Sequence, residues 1–362
     1  MKSAGLLVAA ALAAAVIGTW LALRPVEAPS PAATATPGAA QPNAVTLVPG
    51  ATSPAGEAPV RAPQARIALA PPKAAPAGPF ADFLAAKQYR ALYDRLQAQG
   101  DALSPEGRLA LYEILRECAQ VTDGRRPGYR ASPPAREEFV TSVAPTDPQR
   151  ERRIAAYDAF TADRCAGFEG VSVKRSDLVG ILESAAAAGD PRARALALEQ
   201  QLWTARREGG GGWRDGGVTL SDAQVEELKQ VAGTRDPEAI RVAGRLLANS
   251  WHDYQLRIGP DQQPVEQRPF VNAWLLLACE YGAPCGADTP RLQQACALQG
   301  HCARDFAEYL SYYGSTPADT DRLLEYRMVL RNALESGDWS QLQVVRGAPP
   351  GANRMTFVPG PR

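Results

Sequence analysis

A chain of 362 residues in which 39 Lys and Arg balance 39 Asp and Glu has no formal net charge. That argues against a dedicated nucleic-acid binder, a class that carries a basic excess, and against an acidic solvating tail. Two histidines leave little room for a multi-histidine metal centre, and with 31 Pro and 31 Gly a packed core has to be concentrated in one part of the chain.

Ala4–Leu23 is uncharged and apolar, with Lys2 before it and Arg24-Pro25 after it. About twenty helical residues rise roughly 30 Å, the thickness of a bilayer core. Trp20 suits an interfacial position. Residues 1–24 therefore read as a signal-anchor, with a cleaved signal peptide as the alternative. The first reading places the protein in the inner membrane, single-pass, with the rest of the chain in the periplasm; the second makes it a soluble periplasmic protein.

Residues 25–79 hold thirteen prolines among Ala, Gly, Thr, Ser and Val. With few large apolar groups to offset ordering entropy, they read as a disordered Pro/Ala-rich linker. Charge divides with composition: residues 1–78 carry five basic and two acidic side chains, leaving 34 basic and 37 acidic for the remainder.

From Phe80 to about residue 343 the pattern is helical. Phe80, Phe83, Leu84, Leu92 and Leu96 predict a helix over 80–99 that ends at Gly100. Ser104-Pro105, Asp147-Pro148, Asp190-Pro191, Asp236-Pro237, Thr289-Pro290 and Thr316-Pro317 each pair a polar cap with a proline at the first helical position, and Ser221 with Gln224 forms a capping box. No strand ladder is evident, and Gly209–Gly212 reads as a loop. The Asp190-Pro191 and Asp236-Pro237 starts lie 46 positions apart, a period that suits stacked two-helix units; an irregular bundle with the same cap chemistry is the alternative. The predicted fold is all-α: an irregular helical-hairpin, α-solenoid-like domain over 80–343 after the membrane helix and linker, then a disordered tail over 344–362.

Six cysteines in an exported chain predict a disulfide framework: Cys118, Cys165, Cys279, Cys285, Cys296 and Cys302. Six residues along an unbroken helix turn about 240° and would separate two thiols. Gly282 and Gly300 interrupt the two close pairs, so each second cysteine can fold back on the last helical turn. This favours Cys279–Cys285 and Cys296–Cys302, leaving Cys118–Cys165. A zinc site on the last four cysteines, with His301, is the alternative, although its six-residue steps exceed the usual C-x2–4-C spacing.

Ala273–Cys279 through Cys302, with Asp163–Phe168 and the Ala-Gly-Asp-Pro helix start, resembles a group of uncharacterised exported helical proteins of proteobacteria that carry paired cysteines. The resemblance implies an envelope location and a helical fold, and no activity. Ala187–Leu198 resembles Sel1 or TPR units, and Asp236–Ala243 the second half of a HEAT unit. Phe306–Gly314 partly resembles the Phe-Asp-Tyr-Phe-Leu-Ser-x-x-Gly signature of membrane-anchored lipase chaperones, with Ala307 and Glu308 in place of its Asp-Tyr core. The spacing of Phe306, Tyr309, Leu310 and Tyr313 also reads as a core stripe.

Catalytic signatures are sparse. His252 and His301 are the only imidazoles that could serve as a base, and no G-x-S-x-G elbow accompanies them. Glu183-Ser184 lacks the segment that follows the catalytic glutamate of lytic transglycosylases. No catalytic, cofactor-binding or metal-ligating residue is assigned. The expectation is a non-enzymatic, membrane-tethered periplasmic scaffold that binds an envelope protein, the inner membrane being engaged by the N-terminal helix. The alternative is an exported cell-wall hydrolase or a membrane-anchored foldase.

Overall fold

The capped starts organise the chain. The computed structural model describes residues 67–69, 77–122, 134–208, 220–249 and 254–347. The anchor, most of the linker, Gly209–Gly212, His252 and the tail beyond Gly347 lie outside them. No helix among the described residues is long and apolar enough to cross a membrane.

The stretch expected as one helix over 80–99 is two, α1 (Pro79–Ala85) and α2 (Arg90–Gln97). The reason is tertiary. Arg164 donates to the Ala86 carbonyl through Nε and Nη2 at 3.1 and 2.6 Å, and its own carbonyl accepts the Tyr89 N–H at 2.9 Å. The corner is thus satisfied by a residue 75 positions further along the chain rather than by helix continuation.

Ser104 Oγ accepts the Gly107 N–H and opens α3 (Pro105–Thr122). The short α4 (Arg136–Ser142) precedes α5 (Arg150–Phe160). Asp147 does not cap α5 directly; its carboxylate closes a turn on the Gln149 N–H at 2.7 Å and α5 begins one residue later. After α6 (Arg175–Ala187), Asp190 accepts the Arg192 and Ala193 N–H groups to open α7 (Pro191–Glu208). The Ser221/Gln224 box opens α8 (Asp222–Gly233), and Asp236 caps α9 (Pro237–Ala248). Then come α10 (Gln267–Glu280), α11 (Pro290–Gln299), α12 (Phe306–Tyr309) with a single π turn over Leu310–Gly314, and α13 (Pro317–Ser336). Thr316 and Asp319 form a full capping box on α13. Thr289 precedes α11, but its hydroxyl donates to the Gly286 carbonyl instead of accepting from a helix N–H.

The described residues are therefore mostly helical, with one addition that an all-α reading lacks. β1 (Tyr254–Ile258) pairs antiparallel with both β2 (Gln263–Pro264) and β3 (Leu342–Arg346), in the order β2-β1-β3. Tyr254 faces Arg346 and Ile258 faces Leu342. Strand pairing carries the folded chain to Arg346, beyond the boundary drawn at 343. At the other end Ile67, inside the stretch read as linker, is buried. Its N–H donates to Ser311 Oγ at 3.1 Å, and the Ala68 carbonyl accepts from Arg327 at 2.8 Å.

All described residues belong to one unit, Arg61–Arg362. Helix α6 packs on α3 and α7, α7 on α9, α9 on α10, and α10 on α13. One continuous core follows this path, with Trp274, Tyr326, Phe270 and Ile240 fully enclosed. A satellite core of Phe139, Val143, Tyr157 and Ala297 lies where α11 packs on α5, beside α4.

Candidate binding groove and charged junctions

The cysteines pair as Cys118–Cys165, Cys279–Cys285 and Cys296–Cys302, with Cα atoms 5.4, 5.7 and 4.1 Å apart. The local grammar explains the two short loops. Gly282 and Gly300 adopt φ of 108° and 73°, the left-handed region that glycine enters without a Cβ penalty. At these positions the Ala283 N–H returns to the Ala278 carbonyl and the His301 N–H to the Ala295 carbonyl. With all six sulfurs paired, the zinc alternative has no thiolates left to use.

Helix α7 is central to the site. On one side its residues Ala197, Gln200, Gln201 and Thr204 face Val179, Leu182 and Glu183 of α6 across a cavity of about 600 Å³. A second hollow of about 330 Å³ shares Ala197 and Gln201 and continues to Ala223 and Gln224 of α8. Together they form a groove between α6 and α8 with α7 as its floor. Small apolar residues line the bottom, glutamine amides, which both donate and accept hydrogen bonds, stand along it with Arg175, Glu183, Arg207 and Glu208, and the Arg194–Glu227 ion pair at 2.7 Å joins α7 to α8 at the second hollow.

Glu199 of α7 belongs to a charged junction with α3 and α9. It pairs with Arg245 at 2.6 Å, while Glu113 pairs with Arg116 and Glu238 with Arg241. Glu113 is only 5% exposed. Burial pushes its carboxyl from the ordinary 4.5 up to about 6, against the opposing pull of Arg116 and with added repulsion from Glu238. The neighbouring Tyr112 hydroxyl is also raised, chiefly by burial. Each carboxylate here has its own guanidinium; the Glu113 and Glu238 pairs lie within α3 and α9, and only Glu199–Arg245 joins two helices, α7 and α9, so the arrangement does not present a free acid–base pair.

A second junction joins the two Asp-Pro caps. Arg192 reaches Asp190 at 2.8 Å, Glu106 at 3.2 Å and Asp236 at 3.7 Å, and its guanidinium lies 4.6 Å from the centre of the Phe80 ring. Burial raises the Asp236 carboxyl, opposed by the Ala239 and Glu238 N–H groups and by Arg192. The repeated Asp-Pro signal was legible, but nothing in it identified Arg192 as the bridge between the two caps.

The remaining candidates are placed as follows. Ser184 accepts a hydrogen bond from Arg108 at 2.8 Å, and Glu183 lines the groove. His301 stacks on Tyr313 with ring centres 4.3 Å apart. The stripe Phe306, Tyr309, Leu310, Tyr313 is only half core. Phe306 and Leu310 are buried, but the π turn leaves Tyr313 41% exposed and Tyr309 half-buried.

Comparison with protein-family models, with curated proteins and with solved structures finds no match to this chain. The class that fold and site define is a disulfide-pinned, mostly helical domain with a groove along one helix. The resemblances seen in the sequence rest on the residues that carry them.

Proposed function

We propose that this chain is a non-enzymatic scaffold of the cell envelope, tethered to the inner membrane by Ala4–Leu23, that offers its helical domain to a partner protein in the periplasm. The observation that carries the reading is the groove between α6 and α8, floored by Ala197 and edged by Gln201 and Gln224. Stacked helical hairpins leave such grooves between successive outer helices, and the α6–α7 and α8–α9 pairs, started by matched Asp-Pro caps at α7 and α9, support an α-solenoid-like description. The amides of Gln200, Gln201 and Gln224, set among charged side chains of both signs, suit the main chain of an extended segment, whose own amides seek both donors and acceptors. The Pro-rich stretch 25–66 supports a spacer role, because proline-rich chains hold their ends apart.

The test is a photo-crosslinking residue at Gln224 in the full-length chain, expressed at its native level. A discrete crosslinked species is expected, lost on Gln201→Trp, which fills the groove. The same crosslinker at the exposed Met328 serves as control. No species at Gln224, or the same species at Met328, would overturn the assignment. The mass of the mature protein reports separately on the anchor: retention of Met1–Arg24 is expected.

A further inference from the structure

A second site, on the π turn and α13, goes beyond the groove. Ile67, Ala68 and Leu69 lie outside any helix or strand, with Pro63 before them and Pro71-Pro72 after them. The segment is nevertheless fixed. Ile67 is 6% exposed and belongs to the main core, and Leu69 packs against that core. Two elements grip the main chain. Ser311 Oγ of the π turn accepts the Ile67 N–H at 3.1 Å, and Arg327 of α13 donates to the Ala68 carbonyl at 2.8 Å.

The groups that grip the segment are held by other residues as well. Ser311 and Arg327 are both buried. Ser311 Oγ donates to the Ala307 carbonyl at 2.8 Å, which fixes the hydroxyl proton and leaves a lone pair for an incoming N–H. Arg327 pairs with the buried Glu280, which Arg331 also reaches at 2.5 Å. If the segment leaves, the buried guanidinium keeps its carboxylate, so release strands no unpaired charge. The seat reads one N–H, the carbonyl of the next residue and the apolar side chain of Ile67. The first two are main-chain groups that any chain can offer.

We propose that Ile67–Leu69 is a releasable strap that fills, from within its own chain, a docking seat for a partner protein's segment of the pattern Ile-x-Leu. The strap itself defines that occupant, because it shows which side chain the seat buries and which main-chain groups it binds. Its hold is confined to the seat: the prolines on either side lack the N–H that would extend the pairing. A partner segment with the same groups makes the same contacts, and the strap's advantage over it is the effective concentration that its connection to the domain provides.

The experiment uses the full-length protein and an acetylated, labelled peptide with the sequence of residues 64–72, Gln replacing Arg66 so that trypsin leaves it whole. In the protein, trypsin acts at the Arg66–Ile67 bond, which the seating of Ile67 shields. Saturating peptide is expected to speed that cleavage at least about fivefold, since cleavage follows the released population. Ile67→Asp evicts the strap and is expected to tighten peptide binding at least about tenfold, because the wild-type seat is mostly filled. Binding to that variant should weaken roughly fivefold on N-methylation of the peptide's isoleucine and on adding Ser311→Ala, with no further loss when the two are combined, as both remove the same hydrogen bond. A cooperative thermal melt shows that Ile67→Asp remains folded, and the cleavage readout in the wild-type protein needs no variant. Cleavage indifferent to the peptide, equal affinity for the wild-type and strap-evicted proteins, or indifference to N-methylation would overturn the proposal.

Discussion

Glu113 shows how a single side chain sets a pH dependence. Its carboxyl is held near 6 instead of 4.5, mainly because burial penalises the charged form. The folded chain therefore binds more protons than the unfolded chain between those two values. Stability from this group is greatest below the unfolded value, falls as pH rises from about 4.5 to about 6, and stays lower above that. The difference corresponds to about 2 kcal/mol at neutral pH. Glu113→Gln, neutral throughout, is expected to raise unfolding free energy by about that amount at pH 7.5 and by almost nothing at pH 4.5. Its former partner Arg116 has a half-exposed side chain and recovers hydration. Urea titrations of both proteins at the two pH values provide the check. An equal effect at both would mean that the carboxyl is not the titrating cause.

Between elements, α9 and α10 approach closely at one glycine. Gly244 faces Trp274 so closely that a Cβ would overlap the indole. Gly244→Ala is expected to cost at least about 1–3 kcal/mol by overpacking, although alanine is the better helix former by up to about 1 kcal/mol. The nearest atoms are the Cγ and Cβ of Trp274, which Trp274→Phe retains, so adding that change should recover little of the loss, and the denaturation midpoints of the single and double variants check it. This contact was invisible in the sequence, where Gly244 is one glycine inside a helical pattern. Helix starts were far more legible, because capping is local chemistry: Ser104, Asp190, Ser221, Asp236 and Thr316 all accept the helix N–H groups that their positions implied. What escaped was set by distant partners. The break at Ala86–Tyr89 depends on Arg164, and β1 is buried at four of its five positions, so it shows no alternation to mark it as a strand. The groove escaped for the same reason: Ala197, Gln201 and Gln224 acquire meaning only when α6, α7 and α8 are assembled. The two short cysteine loops were readable because a glycine in each decides the geometry within six residues.

At the scale of the molecule, the disulfides divide by what they close. Cys279–Cys285 and Cys296–Cys302 each span six positions, whereas Cys118–Cys165 spans 47. In the chain-entropy description the long loop restricts the unfolded state by about 4 kcal/mol and each short one by about 2.4 kcal/mol. The native state adds to this difference. Cys165 follows Arg164, which supplies the hydrogen bonds at the α1–α2 corner and covers the Tyr89 ring with its guanidinium 4.5 Å from the ring centre. Tyr89 in turn donates to Glu117, beside Cys118. Replacing both Cys118 and Cys165 by Ala should thus weaken the whole fold by about 4 kcal/mol and also loosen α1 and α2, whereas replacing Cys296 and Cys302 should cost about half as much and leave that corner protected. Chemical denaturation without reductant measures the first effect. Hydrogen exchange at Tyr89, whose N–H is held by the Arg164 carbonyl, measures the second. If that amide stays as protected without the long bridge as with it, the disulfide acts on the unfolded chain alone and the coupling to α1 and α2 fails.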